Sequence, residues 1–240
     1  MAKRTSYQSE LSIEKIIQKK VQGRYLLYLP FDYHSDLIKK WPLIMFLHGA
    51  GEQGDDLALV KKHGIPKRID KKRGFPFVVV SPQCPQGYWW SNDLLIALLD
   101  EIIANYRIDK DRVYLTGISM GGYATWELAI EYPDRFAAIA PICGGGDPYL
   151  IERIRHIPVW AFHGEKDRIV KAYKSKRLVH ALKKAGGDVK LTIYAGMRHD
   201  IWRVTYKNKK LYEWFLSHQR KPQENADITE IPSTVTDSST

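Results

Sequence analysis

The chain has 240 residues, 44% of them hydrophobic, and a formal net charge of +10. This composition fits one α/β domain over residues 1–218, and no apolar run is long enough to span a bilayer. Residues 1–20 are polar and basic and lack the continuous apolar core of a signal peptide, so we expect a cytoplasmic protein without a membrane partner.

Strand-like and helix-like segments then alternate along the chain. The predicted strands cover residues 24–29, 43–47, 77–80, 113–116, 136–142, 159–162 and 190–194. The predicted helices cover residues 93–106, 122–132, 171–185 and 209–217. This order favours a mostly parallel central sheet with helices on both faces. The segment between Ile142 and Val159 is too short for a large cap domain, and residues 219–240 have the composition of a disordered tail.

The positive charge raises the question of nucleic-acid binding. Basic residues cluster at Lys61, Lys62, Lys67, Arg68, Lys71, Lys72 and Arg73, and again at Lys207, Lys209 and Lys210. No nucleic-acid recognition motif accompanies them, so we interpret them as solvated helix faces and expect no specific nucleic-acid partner. Cys84 and Cys143 lack metal-ligand spacing and are interpreted as buried free thiols.

The most informative motif is Gly-Ile-Ser-Met-Gly at residues 117–121. It follows an apolar, β-branched strand and precedes a helix, which is the context of a nucleophile elbow. Glycines at both ends leave room where a side chain would collide with a neighbouring element. We therefore predict that Ser119 is a nucleophile; the alternative is an ordinary glycine-rich turn.

A serine nucleophile needs a general base that is itself oriented by a carboxylate. Asp167 follows the strand at residues 159–162, and His199 follows the strand at residues 190–194. Both stand at carboxyl ends of predicted parallel strands, where catalytic residues gather. Asp147, after the preceding strand, is an alternative acid, whereas Asp200 adjoins the base and Glu165 reads as a solvated loop residue.

The other histidines are given structural roles. His63, His156, His180 and His218 fall in helical or basic surface stretches. His163, at the start of the loop that contains Asp167, is expected to bind backbone groups. For the oxyanion, we predict two backbone donors, the N–H of Met120 and the N–H of Ala50 in the His-Gly-Ala-Gly-Glu loop at residues 48–52.

Five motifs in this order resemble the α/β-hydrolase superfamily, and more closely its small bacterial carboxylesterases, near the dienelactone-hydrolase, feruloyl-esterase and polyhydroxybutyrate-depolymerase branches. They are residues 46–56, 80–85, 108–122, 163–167 and 199–202. The resemblance implies the α/β-hydrolase fold and ester hydrolysis by the Ser-His-Asp triad, with neither cofactor nor metal. Two departures stand out: no proline follows Val170, and the nucleophile is serine where dienelactone hydrolases use cysteine.

Three tryptophans are candidates for contact with the substrate. Trp89 and Trp90 follow a predicted strand, and Trp202 follows His199, so all three are candidates for a substrate-binding cleft. For Trp89 and Trp90, a place in the core is an equal alternative. The expected function is a serine carboxylesterase acting on small acyl or aryl esters. The alternatives are a peptidase or thioesterase with the same triad, and a non-catalytic binding protein of the same fold.

Overall fold

The computed structural model describes residues 11–70 and 74–220. The predicted tail beyond residue 220, and Lys71, Lys72 and Arg73 of the basic stretch, lie outside these residues. Within the described part, no helix is long and apolar enough to cross a membrane.

The centre of the described structure is a seven-stranded sheet in the order β1-β3-β2-β4-β5-β6-β7. The strands are β1 Arg24–Tyr28, β2 Trp41–Leu47, β3 Val78–Gln83, β4 Ile108–Ile118, β5 Ala138–Ile142, β6 Val159–Gly164 and β7 Val189–Tyr194. Only β1 is antiparallel to its neighbour, and the remaining pairs are parallel. The predicted mostly parallel sheet is therefore confirmed.

Six α-helices are present in the described residues. They are α1 Gly64–Ile69, α2 Asn92–Asn105, α3 Met120–Glu131, α4 Tyr173–Lys184, α5 Trp202–Thr205 and α6 Lys209–Leu216. Short 3-10 helices occupy Ala50–Glu52, Leu59–Lys62, Pro133–Arg135 and Ile151–Ile154. The last is the only helix between β5 and β6, so no cap domain is inserted there.

Two apolar cores lie on opposite faces of the sheet. Successive residues of β2 alternate between them: Leu43, Met45 and Leu47 join helices α2, α3 and α4, whereas Ile44 and Phe46 join α1 and α6. Because both faces are covered, the strand is apolar at every position, as parallel-sheet strands usually are. Ser119, Asp167 and His199 follow the carboxyl ends of parallel strands, at one edge of the sheet.

Some boundaries differ from the prediction for tertiary reasons. The third strand was expected to end before Ser81-Pro82, but β3 continues to Gln83 because it also pairs with β1, with Pro82 opposite Tyr25. Helix α1 was missed because six residues beginning with glycine and containing Pro66 show no helical periodicity.

Candidate active site

Ser119 sits in the tight turn between β4 and α3. Its backbone has φ 53° and ψ −113°, a conformation that costs a non-glycine residue roughly 1–3 kcal/mol. The surroundings enforce it. A Cβ at Gly117 would lie 2.8 Å from the Leu47 oxygen, and one at Gly121 would lie 2.6 Å from the His48 oxygen. The elbow can therefore form only with glycine at both positions.

The structure brings Ser119, His199 and Asp167 together. His199 Nε2 lies 2.9 Å from Ser119 Oγ, and His199 Nδ1 lies 2.7 Å from Asp167 Oδ2. Because an ionised carboxylate only accepts, Nδ1 carries the proton and Nε2 is free to accept the serine proton. The other carboxylate oxygen, Oδ1, accepts the N–H groups of Ile169 and Val170 at 2.9 Å each, which fixes its orientation.

A second histidine borders the acid. His163 Nε2 donates to the Val170 carbonyl at 2.7 Å and lies 3.2 Å from Asp167 Oδ2. Its Nδ1 is 2.8 Å from Ser175 Oγ. Burial lowers the pKa of His163, so the neutral ring is favoured. The expected backbone contact is therefore present, and the ring also packs directly against the acid, which the sequence alone did not indicate.

Among the described residues, none of the other three candidate acids is hydrogen-bonded or ion-paired to His199. Asp147 is exposed, and its carboxylate caps its own loop through the Tyr149 N–H at 2.9 Å. Asp200 is exposed. Glu165 is exposed but accepts the Gly196 N–H at 2.7 Å, so it ties the acid and histidine loops together rather than being merely solvated.

Both predicted oxyanion donors are available. Within the described residues, the N–H groups of Ala50 and Met120 donate to no acceptor. The neighbouring Gly49 N–H, by contrast, donates to Glu52 Oε2 at 3.0 Å. Ala50 and Met120 each begin a helical turn, where N–H groups lack an intrahelical partner. Both N–H groups are therefore free to donate to a substrate oxygen, as donors of an oxyanion hole must be.

His48 anchors the loop at residues 48–52. Its Nε2 accepts the Cys84 N–H at 2.9 Å, so Nδ1 carries the proton and donates to the Gly49 carbonyl at 2.6 Å. Burial lowers the pKa of His48 to about 4, which keeps the ring neutral in this role. The amide of Gln83 adds bonds to the carbonyls of Glu52 and Asp56, at 3.0 and 2.8 Å.

The three candidate tryptophans have different positions. Trp90 is only 6% exposed, packs on His48 and donates to its carbonyl at 3.4 Å, which favours the core position that the sequence left open as an equal alternative. Trp89 is 53% exposed and contacts Tyr123 edge-on. Trp202 is partly buried, with its ring centroid 5.4 Å from that of His199.

His63 lies near the site, although the sequence indicated a surface role. Its ring centroid is 5.6 Å from that of Trp202, and its Nε2 is 3.7 Å from Glu52 Oε1. Burial and the nearby cations Lys67 and Lys62 lower its pKa. The other three surface histidines do not contact the site: His156 and His218 bond to nearby carbonyls, and His180 is exposed on α4.

One group within the described residues has metal-ligand chemistry: Cys143, Asp167 and His199, with ligand atoms within 4.8 Å of one another. Asp167 and His199 are already hydrogen-bonded to each other at 2.7 Å. The Cys143 thiol donates to the His199 carbonyl at 3.1 Å, and burial raises its pKa, which disfavours the thiolate a metal needs. We therefore assign the group to hydrogen bonding.

The chain is also similar to known proteins. Residues 92–210 match the model of the Dienelactone hydrolase family. The chain is 50% identical over 52 residues to Poly(3-hydroxyalkanoate) depolymerase C of Paucimonas lemoignei, covering 22% of this chain and 12% of the relative. It is 27% identical over 135 residues to Probable feruloyl esterase C of Aspergillus terreus, covering 52% and 48%.

Among solved structures, a thermostable esterase superposes with a TM-score of 0.71 at 36% identity, covering 82% of this chain and 59% of that one. The chain thus spans less than two thirds of the length of each of these three relatives. The sheet order, the elbow and these matches together show that the chain belongs to the α/β-hydrolase superfamily.

Proposed function

We propose that the protein is a serine carboxylesterase that hydrolyses small acyl or aryl esters through an acyl-enzyme intermediate. The observation that carries the proposal is the continuous hydrogen-bond chain from Ser119 Oγ through His199 to Asp167. Three relatives or structural neighbours with the words esterase or depolymerase in their names support the same reaction class.

The first half of the reaction forms the acyl-enzyme. Ser119 Oγ attacks the ester carbonyl carbon as His199 Nε2 takes its proton, and the carbonyl π electrons move onto oxygen. The N–H groups of Ala50 and Met120 stabilise this oxyanion. The intermediate collapses when the carbon–oxygen bond to the alcohol breaks and His199 returns its proton to the leaving oxygen.

The second half repeats these steps with water. His199 Nε2 takes a proton from water, the hydroxide attacks the acyl carbon, and the Ser119 ester bond breaks as the serine regains a proton. Asp167 stays ionised throughout, holds the Nδ1–H tautomer and stabilises the transient imidazolium. Its two backbone donors, Ile169 and Val170, support that orientation.

Substrate size follows from the surroundings of the serine. No cap domain covers the strand ends in the described residues, and Trp202 stands beside His199 as one wall. Long acyl chains need an apolar tunnel to bury methylenes, each worth about 0.8 kcal/mol when buried. An open site with an aromatic wall favours short acyl and aryl groups.

The proposal also covers the partner of the protein, its location in the cell and its cofactor requirement. We propose a small-molecule ester as the partner, a cytoplasmic location, and catalysis without a cofactor or metal. The two cysteines of the chain, Cys84 and Cys143, are buried free thiols, which suits a reducing compartment.

A fluorophosphonate probe and p-nitrophenyl acetate test the proposal together. The wild type should be labelled at Ser119 and should hydrolyse the ester, and Ser119→Ala should lose both, with turnover falling by several orders of magnitude. A protein that neither labels nor turns over esters would be a non-catalytic member of the fold. Faster turnover of acyl-thioesters or peptides than of any oxygen ester would favour the thioesterase or peptidase alternative.

A further inference from the structure

Glu52 is a buried carboxylate beside the nucleophile that the proposed reaction does not use. It is only 4% exposed, and charged side chains are rarely buried so completely without a partner. Its Oε2 accepts the Gly49 N–H at 3.0 Å. The Gly49 backbone lies against the elbow, since a Cβ built there would be 3.5 Å from the Ser119 Cβ.

The contact belongs to a short helical turn, Ala50–Glu52, in which Gly49 is the N-cap and Glu52 the third residue. A side chain at the third position that accepts the N-cap N–H fixes the direction in which the turn begins. The first N–H of this turn is that of Ala50, which has no acceptor in the described residues. The carboxylate therefore fixes the peptide that directly precedes the Ala50 N–H.

The path of the loop is held by other groups. His48 binds the Cys84 N–H, and the Gln83 amide binds the carbonyls of Glu52 and Asp56. Those bonds attach the loop to the end of β3 but leave the Gly49 N–H unpartnered without Glu52. The loop is therefore attached to β3 by groups other than the Glu52 side chain, which binds the Gly49 peptide beside Ser119.

We propose that Glu52 is a positioning residue for the oxyanion donor: by accepting the Gly49 N–H it aims the Ala50 N–H at the developing oxyanion. This inference rests on the proposed esterase function. Burial raises the pKa of Glu52, but an oxygen acceptor is present in either protonation state, so the role needs the acceptor and not the charge.

Two variants whose side chains have a length similar to that of glutamate separate the loss of the hydrogen-bond acceptor from a change in side-chain shape. Glu52→Gln keeps an oxygen for the Gly49 N–H, and Glu52→Met fills the same space without one. Because the oxyanion exists only in the transition state, Glu52→Met should lower kcat by between about tenfold and 10²-fold with KM within about threefold. Glu52→Gln should retain at least about a third of kcat. Asp55→Ala, an exposed acid of the same segment, is the matched control and should behave as wild type.

An alkyl trifluoromethyl ketone gives a readout that a merely structural role would not move. Ser119 Oγ adds to its carbonyl carbon, the proton passes to His199, and the resulting oxyanion occupies the position of the proposed donors. Its affinity should fall in Glu52→Met by about the same factor as kcat/KM and stay near wild type in Glu52→Gln. Thermal melting checks that each variant is folded.

The outcomes are distinct. Wild-type kcat and ketone affinity in folded Glu52→Met would overturn this inference alone, as would equal losses in Glu52→Gln and Glu52→Met. A wild type that neither hydrolyses esters nor binds the ketone would overturn the proposed function, and this inference with it.

Discussion

Adding one methyl group at Gly121 should damage the site without touching a catalytic side chain. A Cβ at this position would lie 2.5 Å from the carbonyl carbon of Leu47 and 2.6 Å from the oxygen of His48. Ordinary contact begins near 3.4 Å, and the Leu47 oxygen lies closer still than its carbon, so the backbone leading into residues 48–52 and the elbow must separate by at least about 0.9 Å. Both obstacles are backbone atoms, which no rotamer change can move aside.

The size of the effect follows from that displacement. Residues 48–52 include Ala50, and Gly121 is two residues from Ser119, so the donor and the nucleophile move apart. A misplacement of about 1 Å costs on the order of 10²-fold in rate. Overpacking of this kind also destabilises by roughly 1–3 kcal/mol, which for a chain of this size lowers the melting temperature by several degrees.

The assay is kcat for p-nitrophenyl acetate together with thermal melting of Gly121→Ala. Gly51→Ala is the stability control, because a Cβ at Gly51 meets nothing within 4 Å; its melting temperature should match that of wild type. If Gly121→Ala retained wild-type turnover and melting temperature, the close approach of elbow and loop would not exist in solution, and the geometric account of the site would be refuted.

Three further predictions concern the acid, the buried histidine and the substrate wall. Asp167→Asn should lower kcat by on the order of 10⁴-fold because the imidazole loses its orienting acceptor, whereas Asp147→Asn should have little effect; the reverse result would move the acid to the loop after β5. Because burial lowers the pKa of His48 to about 4 from its unfolded value near 6.5, the unfolded chain binds the proton more readily. The stability that the neutral ring contributes should be complete above about pH 6.5 and decline, by on the order of 3 kcal/mol, as pH falls to 4. Urea unfolding across this range should show a smaller decline in His48→Asn than in wild type. Trp202→Ala should impair aryl esters more than acetyl esters of aliphatic alcohols, as measured by kcat/KM; equal losses on both would make it a core residue.

The placement of the three central side chains was accessible to sequence reasoning because each follows an apolar strand. Parallel strands of one sheet end at the same edge, so Ser119, Asp167 and His199 had to approach one another once the strands were recognised. Asp147 also follows a predicted strand, so the sequence left it open as an alternative acid. The hydrogen bond between His199 and Asp167 is a tertiary contact that distinguishes the two.

The supporting groups were not accessible in this way. Glu52 stands in a glycine-rich loop, where nothing in the sequence shows that its carboxylate is buried. His63 contacts Trp202 only because the segment before α1 packs beside α5, far away in sequence. Trp89 and Trp90 are adjacent, and a bond to the His48 carbonyl decides which of them is buried. Each of these outcomes depends on tertiary contacts that short-range patterns do not contain.

The short connection between β5 and β6 gives the scaffold room to acquire new specificity. Its two ends are fixed by adjacent parallel strands, and its middle reaches solvent at Tyr149, which is 88% exposed. Lengthening a surface loop costs only about 0.6 kcal/mol per doubling. The connection begins at Cys143, whose thiol donates to the His199 carbonyl, so a helical segment grafted next to Tyr149 would start close to the site while leaving the strands that carry it unchanged. Such a segment would give the proposed esterase added surface with which to enclose longer acyl chains.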